Sequence, residues 1–205
     1  MPTITRLVIT KGPYPRVRIY LDGCYAFSLE PEAAVNLKKE QHLSEAELER
    51  IARTNERERA LAAALRALVR RPHSCRETEP KLARKQFDAE TVAGTIADLV
   101  ARGLLDDTEF AHFWCENRDA FRPRSRAFVG LELRRKGVTA DVVGAATAGM
   151  DDETGALRAG EKRAKVLGQV DRDTFRRRLG DYLRRRGYNY DVIEKTINEL
   201  WQARA

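Results

Sequence analysis

Gly103–Gly137, GLLDDTEFAHFWCENRDAFRPRSRAFVGLELRRKG, sets the grammar for most of the chain. Asp106 or Asp107 suits the amide-rich start of a helix, and Glu109 adds negative charge near its positive end. Phe110, Phe113 and Trp114 recur at helical spacing, which predicts an aromatic core face more readily than a base-stacking platform. The loop Phe121–Arg124 sets two arginines around Pro123, which bars a helix from running straight through. A second helix follows, with Phe128 and Leu131 on one side and Arg134, Arg135 and Lys136 in its last turn. Cations suit that end of the helix dipole, and Gly137 supplies a left-handed stop.

The same order returns elsewhere. Leu82-Ala-Arg84-Lys85-Gln-Phe87, Leu133-Arg-Arg135-Lys136-Gly-Val138 and Leu183-Arg-Arg185-Arg186-Gly-Tyr188 align at offsets of 51 and 50 residues. Three residues further on, Glu90, Asp141 and Asp191 coincide, followed by Val92, Val143 and Ile193. Each unit reads as three helices, the second ending basic and the third opening on an acid. The predicted architecture is all-α: a tandem array of three three-helix repeats, at 55–105, 106–149 and 150–205, behind a small β-hairpin extension over 1–54. One triplet hides its apolar face poorly, so the units are expected to stack into a continuous curved array.

The extension reads as β. Ile4, Leu7–Ile9, Val17, Ile19, Tyr20 and Tyr25–Phe27 are strand formers, and Lys11-Gly12-Pro13 and Asp22-Gly23 are turn signals. Pro31 suits a first helical position, and Ser44 with Glu47 forms a capping box opening a helix over Glu45–Arg53. A second helix is expected from Asn55, with Leu61, Ala64, Leu65 and Leu68 on one face.

Within 205 residues the hydrophobic fraction is 42%, enough for a core, and no apolar run approaches the roughly 20 residues of a membrane span. The N-terminus lacks the layout of a signal peptide, and three scattered cysteines, Cys24, Cys75 and Cys115, make no disulfide framework. A cytoplasmic protein with reduced thiols is expected. The net charge of +7 favours an acidic partner. The surplus lies in Asn55–Leu105 and Met150–Ala205, each with three more bases than acids, partly in tight runs such as Arg176–Arg178 and Arg184–Arg186. A single run is often only a solvated helix face; repetition at equivalent positions argues for a shared task.

GLLDDTEFAHFW (103–114), RSRAFVGLELRRKGV (124–138) and FRRRLGDYLRRRGYNYDVI (175–193) resemble the RecX family of bacterial RecA regulators. The resemblance runs from about Asn55 to Leu200, and the segment before it resembles an extension that some members carry. It implies a non-enzymatic, cofactor-free protein, expected as a monomer, that binds RecA–DNA filaments along their groove. There it would restrain filament growth, ATPase, strand exchange and co-protease activity, and so recombinational repair and the SOS response. The candidate contacts are Arg70, Arg71, Arg84, Lys85, Arg122, Arg124, Arg126, Arg134, Arg135, Lys136, Arg177, Arg178, Arg184, Arg185 and Arg186, and most of the Arg185 and Arg186 heads is expected in water. They meet either DNA phosphate or RecA carboxylates. Two departures concern the first unit: Pro80 either restarts or kinks its second helix, and Gln86 replaces the stop glycine.

Two rivals remain. A transcription regulator binding duplex DNA also packs short helices at this spacing, but no one helix combines bases with the Asn, Gln and Ser that read base edges. A metal-dependent enzyme would use His73, Cys75, His112 and Cys115; their spacing matches no common zinc module. No Ser–His–Asp grouping, P-loop or Gly-rich phosphate cradle is present.

Overall fold

The structure, a computed structural model, describes residues 1–204. Three strands and ten helices are formed among them, and the chain divides into two compact units. One comprises residues 1–69 with 81–98, the other residues 70–80 with 99–205.

In the first unit, β1 (Ile4–Ile9), β2 (Val17–Leu21) and β3 (Cys24–Leu29) make an antiparallel sheet in the order β1-β2-β3. The two turn signals therefore join three strands, where a hairpin is expected. Asp22 and Gly23 both take positive φ, 48° and 86°, as a tight turn matched to strand twist requires. Ile4, Val17, Ile19 and Leu29 point inward onto Ala34 and Leu43. Pro31 opens the short α1 (Pro31–Ala34). Ser44 and Glu47 form the expected capping box at the head of α2 (Glu45–Leu68). That helix runs unbroken for 24 residues, so the expected division between Arg53 and Asn55 is absent. No glycine or proline interrupts Glu45–Leu68, and Asn55 is only 7% exposed, its Oδ1 accepting from Arg16 Nη2 at 3.0 Å.

Two helices contribute residues to both units: α3 (Cys75–Ala83) and α4 (Ala89–Ala101). Pro80 lies inside α3 rather than restarting it. Gln86 takes φ 64°, so a side-chain-bearing residue stands in the left-handed stop that Gly137 (φ 89°) and Gly187 (φ 88°) occupy at the other two repeats.

The second unit holds two full triplets with separate cores. Helices α5 (Asp107–Phe121), α6 (Arg126–Arg135) and α7 (Ala140–Thr147) close on Phe110, Val129, Leu133 and Val143. Helices α8 (Asp152–Leu167), α9 (Arg172–Arg184) and α10 (Tyr190–Gln202) close on Phe175, Leu179, Leu183, Ile193 and Ile197. Phe110 and Phe175 are fully buried, and truncating either to alanine removes roughly 3–5 kcal/mol. The third helix of each repeat carries a buried threonine, Thr95, Thr147 or Thr196, whose hydroxyl donates to the carbonyl four residues back. Among the described residues no helix is long and apolar enough to cross a membrane.

Candidate anion-binding surface

Within the second unit, the basic end of each second helix seats on the start of the preceding second helix. Ser74 Oγ accepts from the Glu77 amide at 3.1 Å and donates to Lys136 O at 2.7 Å. One triplet on, Ser125 Oγ accepts from the Phe128 amide at 3.2 Å while the Ser125 amide donates to Arg186 O at 3.1 Å. The approach is close. A Cβ on Gly137 would lie 2.6 Å from Arg76 Cβ, and one on Gly187 would lie 2.6 Å from Ser125 Oγ.

The aspartate pairs lock the same joints. Asp106 caps its own helix, taking the Thr108 amide at 2.7 Å and the Glu109 amide at 3.3 Å. Asp107 Oδ1 instead accepts from the Cys75 amide at the start of α3, at 2.9 Å. Asp151 and Asp152 repeat this division: Asp151 caps α8, and Asp152 Oδ1 takes the Arg126 amide at 2.6 Å. Both carboxylates sit where a helix start leaves amides without intrahelical partners.

Four of the fifteen basic candidates are half-buried in contacts inside the protein. Lys136 reaches the Glu77 carboxylate and lies 4.0 Å from the Trp114 ring centre. Arg71 reaches the same carboxylate at 3.0 Å. Burial pushes the Glu77 carboxyl up, but hydrogen bonds from Arg71 and Lys136, with their charges, outweigh it and hold it at about 2. Arg124 pairs with Glu132 at 3.2 Å, and Arg118 binds that carboxylate at 2.7 Å. Arg186 donates to Pro123 O at 2.8 Å and stacks 4.4 Å from the Tyr182 ring centre. The expectation that the Arg186 head lies in water is thus corrected: a carbonyl of the preceding loop and an aromatic face compete for it.

The other eleven are exposed: Arg70, Arg84, Lys85, Arg122, Arg126, Arg134, Arg135, Arg177, Arg178, Arg184 and Arg185. Arg184 makes an i,i+3 contact with Asp181 at 3.3 Å, the kind worth little in water. At the ends of α6 and α9 the same pattern results: two arginines outward (Arg134 with Arg135, Arg184 with Arg185) and the third base inward. Phe121, 72% exposed, stands beside Arg122.

The titratable groups of the rival enzyme reading are placed differently. Burial pushes the Cys115 thiol up to about 11, and burial followed by the nearby Asp107 raises Cys75, so neither is an activated thiolate. His73 Nδ1 lies 2.9 Å from Arg71 O. Among the described residues no group of three or more His, Cys, Asp or Glu side chains is arranged to hold a metal.

A further feature lies wholly in the first unit. A groove of about 1070 Å³ runs between β3 and α2, lined by Tyr14, Tyr25, Arg59, Arg66, Lys85 and Phe87 among others. Only Lys85 of these is a sequence-predicted candidate. The available signal was the seven-residue spacing of Arg59 and Arg66 around small Ala62 and Ala63, which puts both bases on one side of a helix with room beside them.

The family model described as RecX, first three-helix domain, matches residues 60–99, and that for RecX, third three-helix domain, matches residues 151–197. Regulatory protein RecX of Amycolatopsis mediterranei (strain U-32) is 37% identical over 139 residues, spanning 64% of this chain and 79% of that protein. Regulatory protein RecX of Clostridium botulinum (strain Alaska E43 / Type E3) is 27% identical over 206 residues, 97% of this chain and 96% of that one. A crystal structure of regulatory protein RecX superposes with a TM-score of 0.66 at 21% identity, over 97% of this chain and 100% of the other, and shares the fold. This chain belongs to the RecX family of regulatory proteins.

Proposed function

We propose that this protein binds RecA nucleoprotein filaments and holds RecA down, limiting filament growth, ATP hydrolysis, strand exchange and co-protease action. In that role it tempers recombinational repair and the SOS response. It acts as a cytoplasmic monomer, by binding, with no cofactor and no chemistry of its own. The division into repeats at 55–105, 106–149 and 150–205 belongs to the same reading, with α2 shared between residues 1–54 and the first repeat.

The observation that carries the proposal is the matched pair of exposed arginines at the ends of α6 and α9, Arg134 with Arg135 and Arg184 with Arg185. The inward third base and the glycine fix each helix end, so the outer pair recurs on a rigid support. A repeating acidic surface is the natural complement of a repeating basic one. Arg84 at the end of α3, and Arg122 and Arg126 around Pro123, extend the set.

The test is the RecA ATPase on single-stranded DNA. Wild type added below stoichiometry lowers the rate. Arg134→Glu, Arg135→Glu and Arg185→Glu together abolish most of that effect while circular dichroism stays unchanged. No inhibition by wild type at several-fold excess over RecA removes the proposal. If the arginines meet phosphate, removing each one flattens the slope of log affinity for naked DNA against log salt by about 0.7–0.9. If they meet RecA carboxylates, naked-DNA binding stays unchanged while inhibition falls.

A further inference from the structure

Lys85 occupies the register of Lys136 and Arg186, yet it does not seat on another helix start. It is exposed and lines the groove between β3 and α2. The adjacent stop residue explains what the groove is not for. At the two seated joints the stop is glycine because a Cβ would collide with Arg76 or Ser125. Gln86 keeps the left-handed backbone, φ 64°, with a full side chain that is exposed, so no helix start approaches this position as at the seated joints. A second copy of this chain docking as the preceding repeat does not fit there.

The lining has a different chemistry. Four cations, Arg16, Arg59, Arg66 and Lys85, face one carboxylate, Glu30. Arg16 is already committed: it binds Glu30 at 2.5 Å, Ser28 O at 2.8 Å and Asn55 at 3.0 Å, which neutralises Glu30 and braces the groove. Arg59, Arg66 and Lys85 are exposed and line the groove. Between them lie aromatic rings. Tyr14 is 87% and Tyr25 57% exposed, and Phe87 has the Arg59 guanidinium 5.8 Å from its centre. Large exposed aromatic faces beside exposed cations in one groove are what a strand of unpaired bases needs: its phosphates meet the cations and its bases stack on the rings. A duplex hides its base faces, and an acidic peptide uses the cations but leaves the tyrosines idle.

We propose that the groove between β3 and α2 binds single-stranded nucleic acid, with Arg59, Arg66 and Lys85 on the phosphates and Tyr14 and Tyr25 stacking on bases. The site is separate from the arginine pairs of α6 and α9 and does not depend on the RecA reading. The experiment is fluorescence anisotropy of full-length protein with labelled oligothymidylate or oligouridylate of about 16 nucleotides, over a salt series, with duplex and polyglutamate as competitors. In Arg66→Gln/Lys85→Gln, affinity falls and the salt slope flattens by about 1.4, roughly 0.7 for each of two contacts. In Tyr14→Ala/Tyr25→Ala, affinity falls by roughly 5- to 150-fold per stacked base while the slope is kept. Tyr25→Phe keeps the ring and binds as wild type, which separates stacking from misfolding. Preference for thymidylate or uridylate tells which strand is taken. Affinity unchanged in both double variants, or displacement by polyglutamate with no loss in the tyrosine variant, overturns the proposal. Because the RecA ATPase is not used, the result is independent of the filament reading.

Discussion

Lys85 and Lys136 stand at the same place in two copies of one repeat, and they do opposite things. Lys136 is 20% exposed, fixed by the Glu77 carboxylate and the Trp114 ring, and belongs to a joint between helices. Lys85 faces an open groove walled by a sheet strand. Their local sequences, Leu-Ala-Arg-Lys and Leu-Arg-Arg-Lys at a helix end, differ little. What differs is the neighbour. A base in an array becomes structural when a preceding helix start offers it an acid, as for Lys136, or a loop carbonyl, as for Arg186, and stays available when neither lies under it. The stop residue records which case holds: glycine under contact, glutamine in the open.

The largest effect expected from this contrast is at the glycines. Gly187→Ala places a Cβ 2.6 Å from Ser125 Oγ and 2.8 Å from Phe128 Cβ on a backbone at φ 88°. Left-handed strain and overpacking together cost roughly 2–5 kcal/mol. Urea unfolding followed by Trp114 and Trp201 fluorescence reports it, because both tryptophans lie in residues 99–205. A midpoint equal to wild type would break the account of the seated joint.

Next in size is the Glu77 carboxyl, held at about 2 against an ordinary 4.5. Its folded value lies below its unfolded one, so its contribution is complete above pH 4.5 and disappears as the pH falls towards 2. Roughly 3 kcal/mol is at stake over that window. Glu77→Gln lowers stability at pH 7 and flattens the acid limb of the profile between those values. A profile that keeps its wild-type steepness there contradicts the assignment.

Lys136→Met keeps the apolar stem and removes one charged donor, at a cost of roughly 1.5–3 kcal/mol. Lys85→Met, at the equivalent position, stays within about 0.5 kcal/mol because an exposed side chain away from a joint matters little to folding. Equal effects at both positions would erase the distinction between seated and open bases. Tryptophan-detected urea unfolding reads Lys136→Met, and hydrogen exchange of the α3 and α4 amides reads Lys85→Met, because neither tryptophan lies in the unit that holds Lys85.

Much of this was legible in the sequence. Helical spacing gave the aromatic core around Phe110, Ser44 with Glu47 gave a cap, and the recurring Leu-Arg-base pattern gave the repeats. The division of labour inside the pair Asp106-Asp107 was not, because a carboxylate that caps its own helix and one that caps a helix 32 residues earlier look alike in one dimension. The inward turn of Arg186 was hidden for the same reason: its acceptor, Pro123 O, is 63 residues away. The unbroken α2 was missed because a helix start signal at Ser44 says nothing about where the helix ends. The groove escaped because its exposed cations come from α2 and from just past α3 while its rings come from Tyr14, β3 and Phe87, and no single stretch combines all of them.

The smallest effect separates strain from contact. Gln86 holds φ 64°, a conformation that costs a residue with a Cβ roughly 1 kcal/mol or more and costs glycine little. Gln86 is exposed, so removing its side chain opens no cavity. Gln86→Gly should therefore stabilise the protein, by under about 1 kcal/mol once the added freedom of glycine in the unfolded chain is subtracted. Neither tryptophan lies in residues 1–69 or 81–98, so hydrogen exchange of the α3 and α4 amides is the fitting readout. Slower exchange means that the glutamine carries a backbone penalty kept for something other than folding, which fits a residue beside a binding groove. Faster exchange means that the Gln86 side chain makes a stabilising contact, and the contrast between glycine under contact and glutamine in the open would have to be withdrawn.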